Sequence, residues 1–295
     1  MPELPDVVVY CERLAALAEG TPLLRLRIAS PWVLRSVDPA PSTLEGRVLT
    51  GVRRLGKRIV LELAGGYFVV IHLMVAGRLR RRAPGAALPR KRGLAALDFP
   101  GHTFLLTEEG TRKRASIYIV QGEDALAGHD PGGVEPFAAD PALFAAALTR
   151  ERHTLKRALT DPTLISGIGG AYADEIMHRA RLSPLARTDT LEPGELDRLH
   201  AAVQEVLAEW VGRLRAETAD GFPEKVTAFH PEMAVHGRYG QPCPVCGTPV
   251  QRIVHADDET NYCPRCQTGG RVLADRALSR LLKEDWPRRI EDLEG

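Results

Sequence analysis

The chain has 295 residues, 44% hydrophobic and 5% aromatic, with 39 Lys and Arg against 38 Asp and Glu for a formal net charge of +1. Such a composition excludes a disordered chain and leaves room for two domains plus a small module. No apolar run approaches the roughly 20 residues of a bilayer span, and the N-terminus has no basic segment leading into an apolar stretch and a cleavage site, so a cytosolic protein without a membrane is expected.

The chain opens Met1-Pro2-Glu3-Leu4-Pro5-Asp6. If the initiator Met is removed, Pro2 becomes a free secondary amine able to attack a sugar aldehyde and form an iminium. A terminal amine titrates at about 7.7 to 8.0, so a useful fraction is neutral near pH 7. The alternative is that the two prolines only lead rigidly into a helix. Residues 6–19 carry the spacing of one amphipathic helix, with Cys11 sharing the apolar face of Val7, Leu14 and Leu17 as a small core residue.

Short apolar runs follow at 58–63, 67–74, 102–107 and 116–120, punctuated by glycines and prolines, and predict a β-sandwich or barrel-like first domain over 1–130. Between Arg53 and Arg92 stand eleven Lys or Arg against the single acid Glu62. That surplus fits phosphate contact; a solvated basic surface is the alternative. Residues 83–93 read as an exposed loop, and 128–136 (GHDPGGVEP) as a turn-rich break. Helices are expected at 141–149, 154–159, 171–180 and 192–217, in a domain over 131–230. Between two of them, Gly167-Ile-Gly169-Gly170 precedes a helix start, where backbone N–H groups favour a phosphate, although such turns also merely connect packed helices.

Cys243-x-x-Cys246 and Cys263-x-x-Cys266 are separated by 16 residues. In a reducing compartment that spacing favours one tetrahedral zinc thiolate site, closed and therefore structural, on a β-hairpin module over 236–270. Beyond it, Leu273, Ala277, Leu278, Leu281 and Leu282 make an apolar stripe that predicts a helix from about 272 to 285 within a C-terminal extension over 271–295, packed on the body of the protein or, alternatively, binding a partner.

In series, PELPDV at the start, Lys57 in Leu55-Gly-Lys-Arg, His72-Leu73 before Gly77, LKRAL around Lys156, GIGGAYADE at 167–175 and His236-Gly-Arg-Tyr-Gly ahead of the cysteines resemble the formamidopyrimidine-DNA glycosylase / endonuclease VIII family over about residues 1–268. The resemblance implies an α+β, multi-domain protein: an N-terminal β-sandwich with its helix, a helix-two-turn-helix domain and a zinc-finger hairpin, working as a monomer on damaged or abasic DNA. It implies that Pro2 attacks C1′ of a flipped nucleotide, displacing the base and leaving an iminium that permits elimination of the flanking phosphates. Glu3 is then the acid/base at the sugar ring oxygen, and Lys57, on a strand, holds a phosphate beside the lesion. His72 orients the same backbone or is a satisfied core histidine. Lys156, Gly169 and Gly170 fall among the DNA-binding positions.

The chain departs from the family pattern where the nucleic acid is held. Gly170 stands where the family has a phosphate-binding Asn, and Asp258 where it has an Arg, with Arg252 and Arg265 as substitutes from elsewhere. Met74 falls one place ahead of the family's inserted Met, with Val75 at the matching position. The later insertion loop has no Phe, leaving Arg112, Lys113 and Arg114 to fill or brace the gap. Asp6 in place of Glu is a mild change. Two readings follow: an active glycosylase/AP lyase with an altered lesion preference, favoured by retention of Pro2 and Glu3, or a catalytically weak protein that binds damaged DNA.

Overall fold

The computed structural model describes residues 1–293 apart from 111, 225, 227, 228, 256, 257, 276–278 and 282–285. It divides into two compact units, Met1–Pro131 with Glu209–Thr227, and Gly132–Ala208 with Ala228–Gly295.

In the first unit α1 (Leu4–Ala18) begins two residues earlier than its apolar spacing suggests. Pro5 lies in the first turn, where its missing N–H forfeits no helical bond. Val7, Tyr10, Cys11, Leu14 and Ala18 of this helix are buried in the core of a β-sandwich. The strands are β1 (Arg25–Ile28), β2 (Leu49–Leu55), β3 (Arg58–Leu63), β4 (Tyr67–His72), β5 (Gly77–Arg82), β6 (Gly93–Asp98), β7 (Thr103–Glu108) and β8 (Ser116–Gln121), followed by α2 (Glu123–Ala127). They form two four-stranded sheets, ordered β1-β6-β7-β5 and β2-β3-β4-β8, antiparallel throughout.

Leu26, Leu79, Leu97, Phe104 and Leu106 of one sheet share a core with Ile59, Leu61, Val69, Ile71, Ile117 and Ile119 of the other. The opposite face of the second sheet buries Val60, Phe68 and Val70 against Leu126 of α2. Strands covered on both faces read as continuous apolar runs, which is why β3, β4 and β8 are legible in the sequence. By contrast, β1, β2 and β5 (RLRI, LTGVRRL, GRLRRR) alternate with arginines and escape notice.

The second unit holds α3 (Pro141–Thr149), α4 (Leu155–Thr160), α5 (Gly170–Ala180), the part of α6 (Pro193–Thr218) up to Ala208, the hairpin β9 (Gln251–His255) and β10 (Asp258–Tyr262), and α7 (Pro264–Thr268). Asp140 caps α3 by accepting the Leu143 N–H at 2.7 Å. Leu155, Leu159, Ile168, Ile176, Met177, Leu199, Val203 and Leu207 are buried here. From Glu209 on, α6 and the loop to Thr227 belong to the first unit. Arg215 meets Glu12 at 2.6 Å, and the Phe222 ring lies 5.6 Å from Tyr10 and 5.4 Å from Phe104.

The expected helix at 272–285 is corrected over its first turn. Residues 272–275 have no helical structure: the Leu273 N–H donates to the Tyr262 hydroxyl at 2.7 Å, and the Val254 N–H to Asp275 at 2.7 Å. Leu273 is buried whereas Leu281 is 76% exposed, so these two do not share an apolar face. Ala277, Leu278 and Leu282 lie outside the described residues.

Candidate functional site

Pro2, Glu3, Leu4, Pro5 and Asp6 are all buried. The Glu3 N–H donates to the Asp6 Oδ2 at 2.8 Å, which closes the first turn of α1. Around the chain's ammonium gather Glu3, Arg78, Asp6 and Lys57. Burial pulls its pKa down, with Glu3 and Asp6 opposing and Arg78 and Lys57 assisting. Burial likewise lowers Lys57, against the pull of Glu3, and raises Asp6 to about 7. These are the electrostatics of a desolvated amine flanked by two carboxyls and two cations.

Lys57 is placed by the tight turn between β2 and β3, where Gly56 has φ +60°, rather than on a strand as expected. A hairpin needs a turn residue there, and the apolar run begins only at Arg58. His72 ends β4, and burial with Arg58 and Lys57 pushes it down to about 4. Its ring is therefore neutral at pH 7, and Nε2 is buried without a hydrogen-bond partner among the described residues, so it is not the satisfied core histidine. Met74 is half-buried at φ +53°, while Val75 at the tip of the same turn is 56% exposed.

The later loop has an organiser that sequence reasoning missed. Buried Glu108 accepts the Arg114 N–H at 2.9 Å and the Ala115 N–H at 3.2 Å, and its carbonyl takes the Lys113 ammonium. Lys113 is thus turned into the loop, leaving Arg112 and Arg114 exposed. The basic surplus is also smaller in practice than in sequence. Arg53 pairs with Glu62 at 2.5 Å, Arg82 and Arg80 with Glu224 at 2.9 and 3.4 Å, and Arg92 with Glu109 at 3.0 Å. Arg78 donates to the Val226 carbonyl at 2.8 Å. The contacts of Arg78, Arg80 and Arg82 hold Glu224 and Val226 beside a cavity of about 310 Å³ lined by Asp6, Val9, Leu214, Phe222 and Glu224.

In the second unit Lys156 is an internal brace. Its Nζ lies 3.0 Å from the Asp174 Oδ1 and donates to the Glu259 carbonyl at 2.8 Å, with the side chain only 9% exposed. Asp174 also meets His236 Nδ1 at 2.8 Å and accepts the Asn261 N–H at 3.0 Å. Glu175 accepts the N–H groups of Ala234, Val235 and His236 at 2.7, 2.9 and 3.0 Å. The YADE segment is therefore a buried anchor for the cysteine module. Gly169 caps α5 and Gly170 opens it. A Cβ at Gly170 would meet nothing nearer than Asp258 Oδ1 and Lys156 Nζ, each at 3.9 Å, so no steric rule demands glycine there. Arg252 is committed to the Tyr239 ring at 4.3 Å and to Glu259 at 3.3 Å, whereas Arg265 is exposed.

The four cysteines converge as their spacing requires. Cys243 and Cys266 Sγ are 4.0 Å apart, Cys246 and Cys263 Sγ 3.4 Å. These separations bracket the ~3.8 Å edge of a tetrahedron with Zn–S near 2.3 Å. Cys263 also caps α7. A fifth donor joins them that the sequence did not single out: His178 Nε2 stands 3.3 Å from Cys243 Sγ. Burial, with Arg179 and Arg181, pushes this imidazole down to about 4, so it is neutral.

Family models match three stretches: the formamidopyrimidine-DNA glycosylase N-terminal domain over 1–115, its H2TH domain over 128–219, and the zinc finger found in FPG and IleRS over 240–269. The formamidopyrimidine-DNA glycosylase of Symbiobacterium thermophilum is 34% identical over 278 residues, covering 90% of this chain and 89% of the relative. The chain belongs to the formamidopyrimidine-DNA glycosylase family. The crystal structure of the Thermus thermophilus MutM (FPG) protein is 32% identical with a TM-score of 0.75, covering 90% of this chain and 98% of that one. A complex between Lactococcus lactis Fpg and DNA containing an abasic site is 25% identical with a TM-score of 0.80, covering 90% and 99%.

The family's zinc finger fits the donors present, since four thiolates close a tetrahedral site around one structural zinc. Removal of the metal by a chelator should abolish amide-exchange protection in β9 and β10 while leaving that of β3 and β4 intact. Protection that survives in the hairpin would overturn the assignment.

Asp6 yields a pH prediction. Its folded pKa, raised from 3.8 to about 7, makes a stabilising contribution that is full below about pH 4 and lost as pH rises through 7. Asp6→Asn should flatten the pH dependence of unfolding across that window and be the more stable protein at pH 8, by an amount on the order of 1–4 kcal/mol. Thermal melts from pH 4 to 8 check this, and parallel curves for parent and variant would refute it.

Proposed function

We propose that this DNA glycosylase removes a damaged base and cleaves the resulting abasic site through a Schiff base on Pro2. The observation that carries the reading is the buried first turn of α1, where Pro2 and Glu3 stand among Lys57, Asp6 and Arg78. An amine at Pro2, once Met1 is removed, inherits an environment that already disfavours the ammonium. Such surroundings favour the neutral, nucleophilic form that attack at C1′ needs. Glu3 gives a proton to the sugar ring oxygen as the base leaves and takes one back as the lyase step proceeds. Lys57 steadies a neighbouring phosphate, and the unpartnered Nε2 of His72 supports a role on the same backbone.

The same reading takes the protein to be cytoplasmic and nucleoid-associated, working as a monomer on damaged or abasic DNA, in keeping with bacterial relatives named formamidopyrimidine-DNA glycosylase. Among the described residues no helix is long and apolar enough to cross a membrane. The second unit supplies the grip: the α5 N-terminus, the zinc hairpin and the exposed Arg265. Lys156 serves there as a brace through Asp174, and the exposed Arg112 and Arg114 are the DNA-facing members of their loop. Met74 lends packing beneath Val75, which is the side chain offered for insertion.

Borohydride trapping on an oligonucleotide with one abasic site, using protein whose N-terminus has been checked by mass, tests the chemistry. A covalent adduct mapped to Pro2 is expected, with adduct formation lost in Pro2→Gly. Glu3→Gln should lower base excision by at least about 100-fold, the usual scale for losing a general acid. Protein that lacks Met1 and binds the same DNA without forming an adduct would leave only the damage-binding reading, which the loss of Asn at 170 and Arg at 258 keeps in view.

Those two positions give a second test. Because a side chain at 170 meets only ordinary contacts, Gly170→Asn should fold with unchanged or higher melting temperature. Combined with Asp258→Arg, it should tighten binding to abasic-site DNA by about tenfold at low salt and steepen the salt dependence. Affinity unchanged in the double variant would show that this chain does not hold a phosphate there.

A further inference from the structure

Five donors stand where a tetrahedral zinc accepts four. The donor atoms of His178, Cys243, Cys263 and Cys266 all lie within 4.8 Å of one another, a set that includes the imidazole and leaves out Cys246. Cys246 in turn is 3.4 Å from Cys263. Three thiolates are therefore common to two alternative ligand sets, one closed by Cys246 and one by His178. The two alternatives differ in exposure. His178 is 6% exposed on α5, whereas Cys246 is half-buried in a turn between exposed Val245 and exposed Gly247. The more accessible ligand is the one that the buried imidazole can replace.

We propose that His178 is a reserve ligand of the zinc site. While Cys246 is bound, His178 carries its ring proton on Nε2 and donates it to the Cys243 thiolate, at the 3.3 Å separation observed. When Cys246 is lost, Nε2 becomes the fourth ligand and the ring proton resides on Nδ1. One Zn–S bond breaks and one Zn–N bond forms; a displaced Cys246 thiolate takes up one proton from water, and the site changes from four thiolates to three thiolates and a neutral imidazole. No electron transfer is involved. The consequence is a hairpin that stays folded after its accessible thiolate is alkylated or removed. The inference rests on the zinc site alone and is independent of the Pro2 chemistry.

Metal content and the spectrum of the cobalt(II)-substituted full-length protein test it. Cys246→Ala should retain one metal per chain, with the cobalt d–d bands moved to shorter wavelength because an imidazole exerts a stronger field than a thiolate. His178→Ala alone should keep one metal and the four-thiolate spectrum. The double variant should hold less than about one-tenth of a metal at the same free-metal concentration. Equal metal content in Cys246→Ala and the double variant, whether both retained or both lost, would overturn the proposal. A measurement that avoids a folding defect is alkylation of the zinc-loaded protein by iodoacetamide, in which the Cys246 S–C bond forms and iodide leaves. With modification at Cys246 mapped by mass, the parent should keep its zinc, whereas His178→Ala should release it at least about tenfold faster. Equal release from the two would overturn the assignment.

Discussion

Desolvation of the first turn of α1 is the constraint on which the rest of this protein depends. A terminal amine is a useful nucleophile only when it is neutral, and burial favours the neutral form. The same burial penalises the Asp6 carboxylate, so the turn needs compensation. The Glu3 N–H to Asp6 bond, the positive end of the helix dipole, and the cations of Lys57 and Arg78 provide it. Each of those groups must be delivered by a different element: Lys57 by the β2–β3 turn, Arg78 by β5, the carboxyls by α1 itself. The sandwich core that packs Tyr10 and Leu14 is what makes their convergence reproducible. In the proposed function the chemistry sits at the start of a helix, where backbone N–H groups lie unpaired.

The second unit solves a different problem, that of holding a short hairpin with little core of its own. Val235, Val250 and the cysteines form its small cluster. The remaining order comes from the metal and from buried charges, with Glu175 taking three successive N–H groups and Asp174 shared by Lys156, His236 and Asn261. Buried ions of this kind are costly unless every lone pair is used, and here they tie α5 to the segment leading into the cysteines. The zinc environment continues the same helix, since His178 stands one turn beyond Asp174.

In the proposed function, the first unit retains the chemistry and the second alters the grip. On that reading, the groups near Pro2 favour a neutral amine with an acid beside it. At the helix start that meets DNA in the proposed function, a glycine and an aspartate replace an amide and a guanidinium. Part of the basic run in the first unit is committed to internal ion pairs, two of them with Glu224. In the proposed function, the carboxylate of Asp258 opposes a phosphate at that helix start. The cavity bordered by Asp6 and that loop is shaped by residues outside the recognisable motifs.

Much of this was legible in the residues. The two C-x-x-C pairs, the proline-marked start, the strands buried on both faces and the glycine turn before α5 all depend on local spacing, which a sequence displays directly. So does the break near residue 130, written in prolines and glycines. What only the tertiary structure decided is which long side chain meets which partner. Lys156 finds the Glu259 carbonyl 103 residues away, and His178 finds Cys243 65 residues away. The resemblance placed Lys57 on a strand and Lys113 among the residues that fill or brace the gap, and the apolar stripe suggested that 272–275 was helical. Contacts to Tyr262 and Val254 overruled the last, because a buried hydroxyl or N–H left unpaired costs more than a local preference supplies. Residue type and nearby order set what chemistry this chain can do; the partners of its charges, and the fifth donor beside its zinc, were decided by folding.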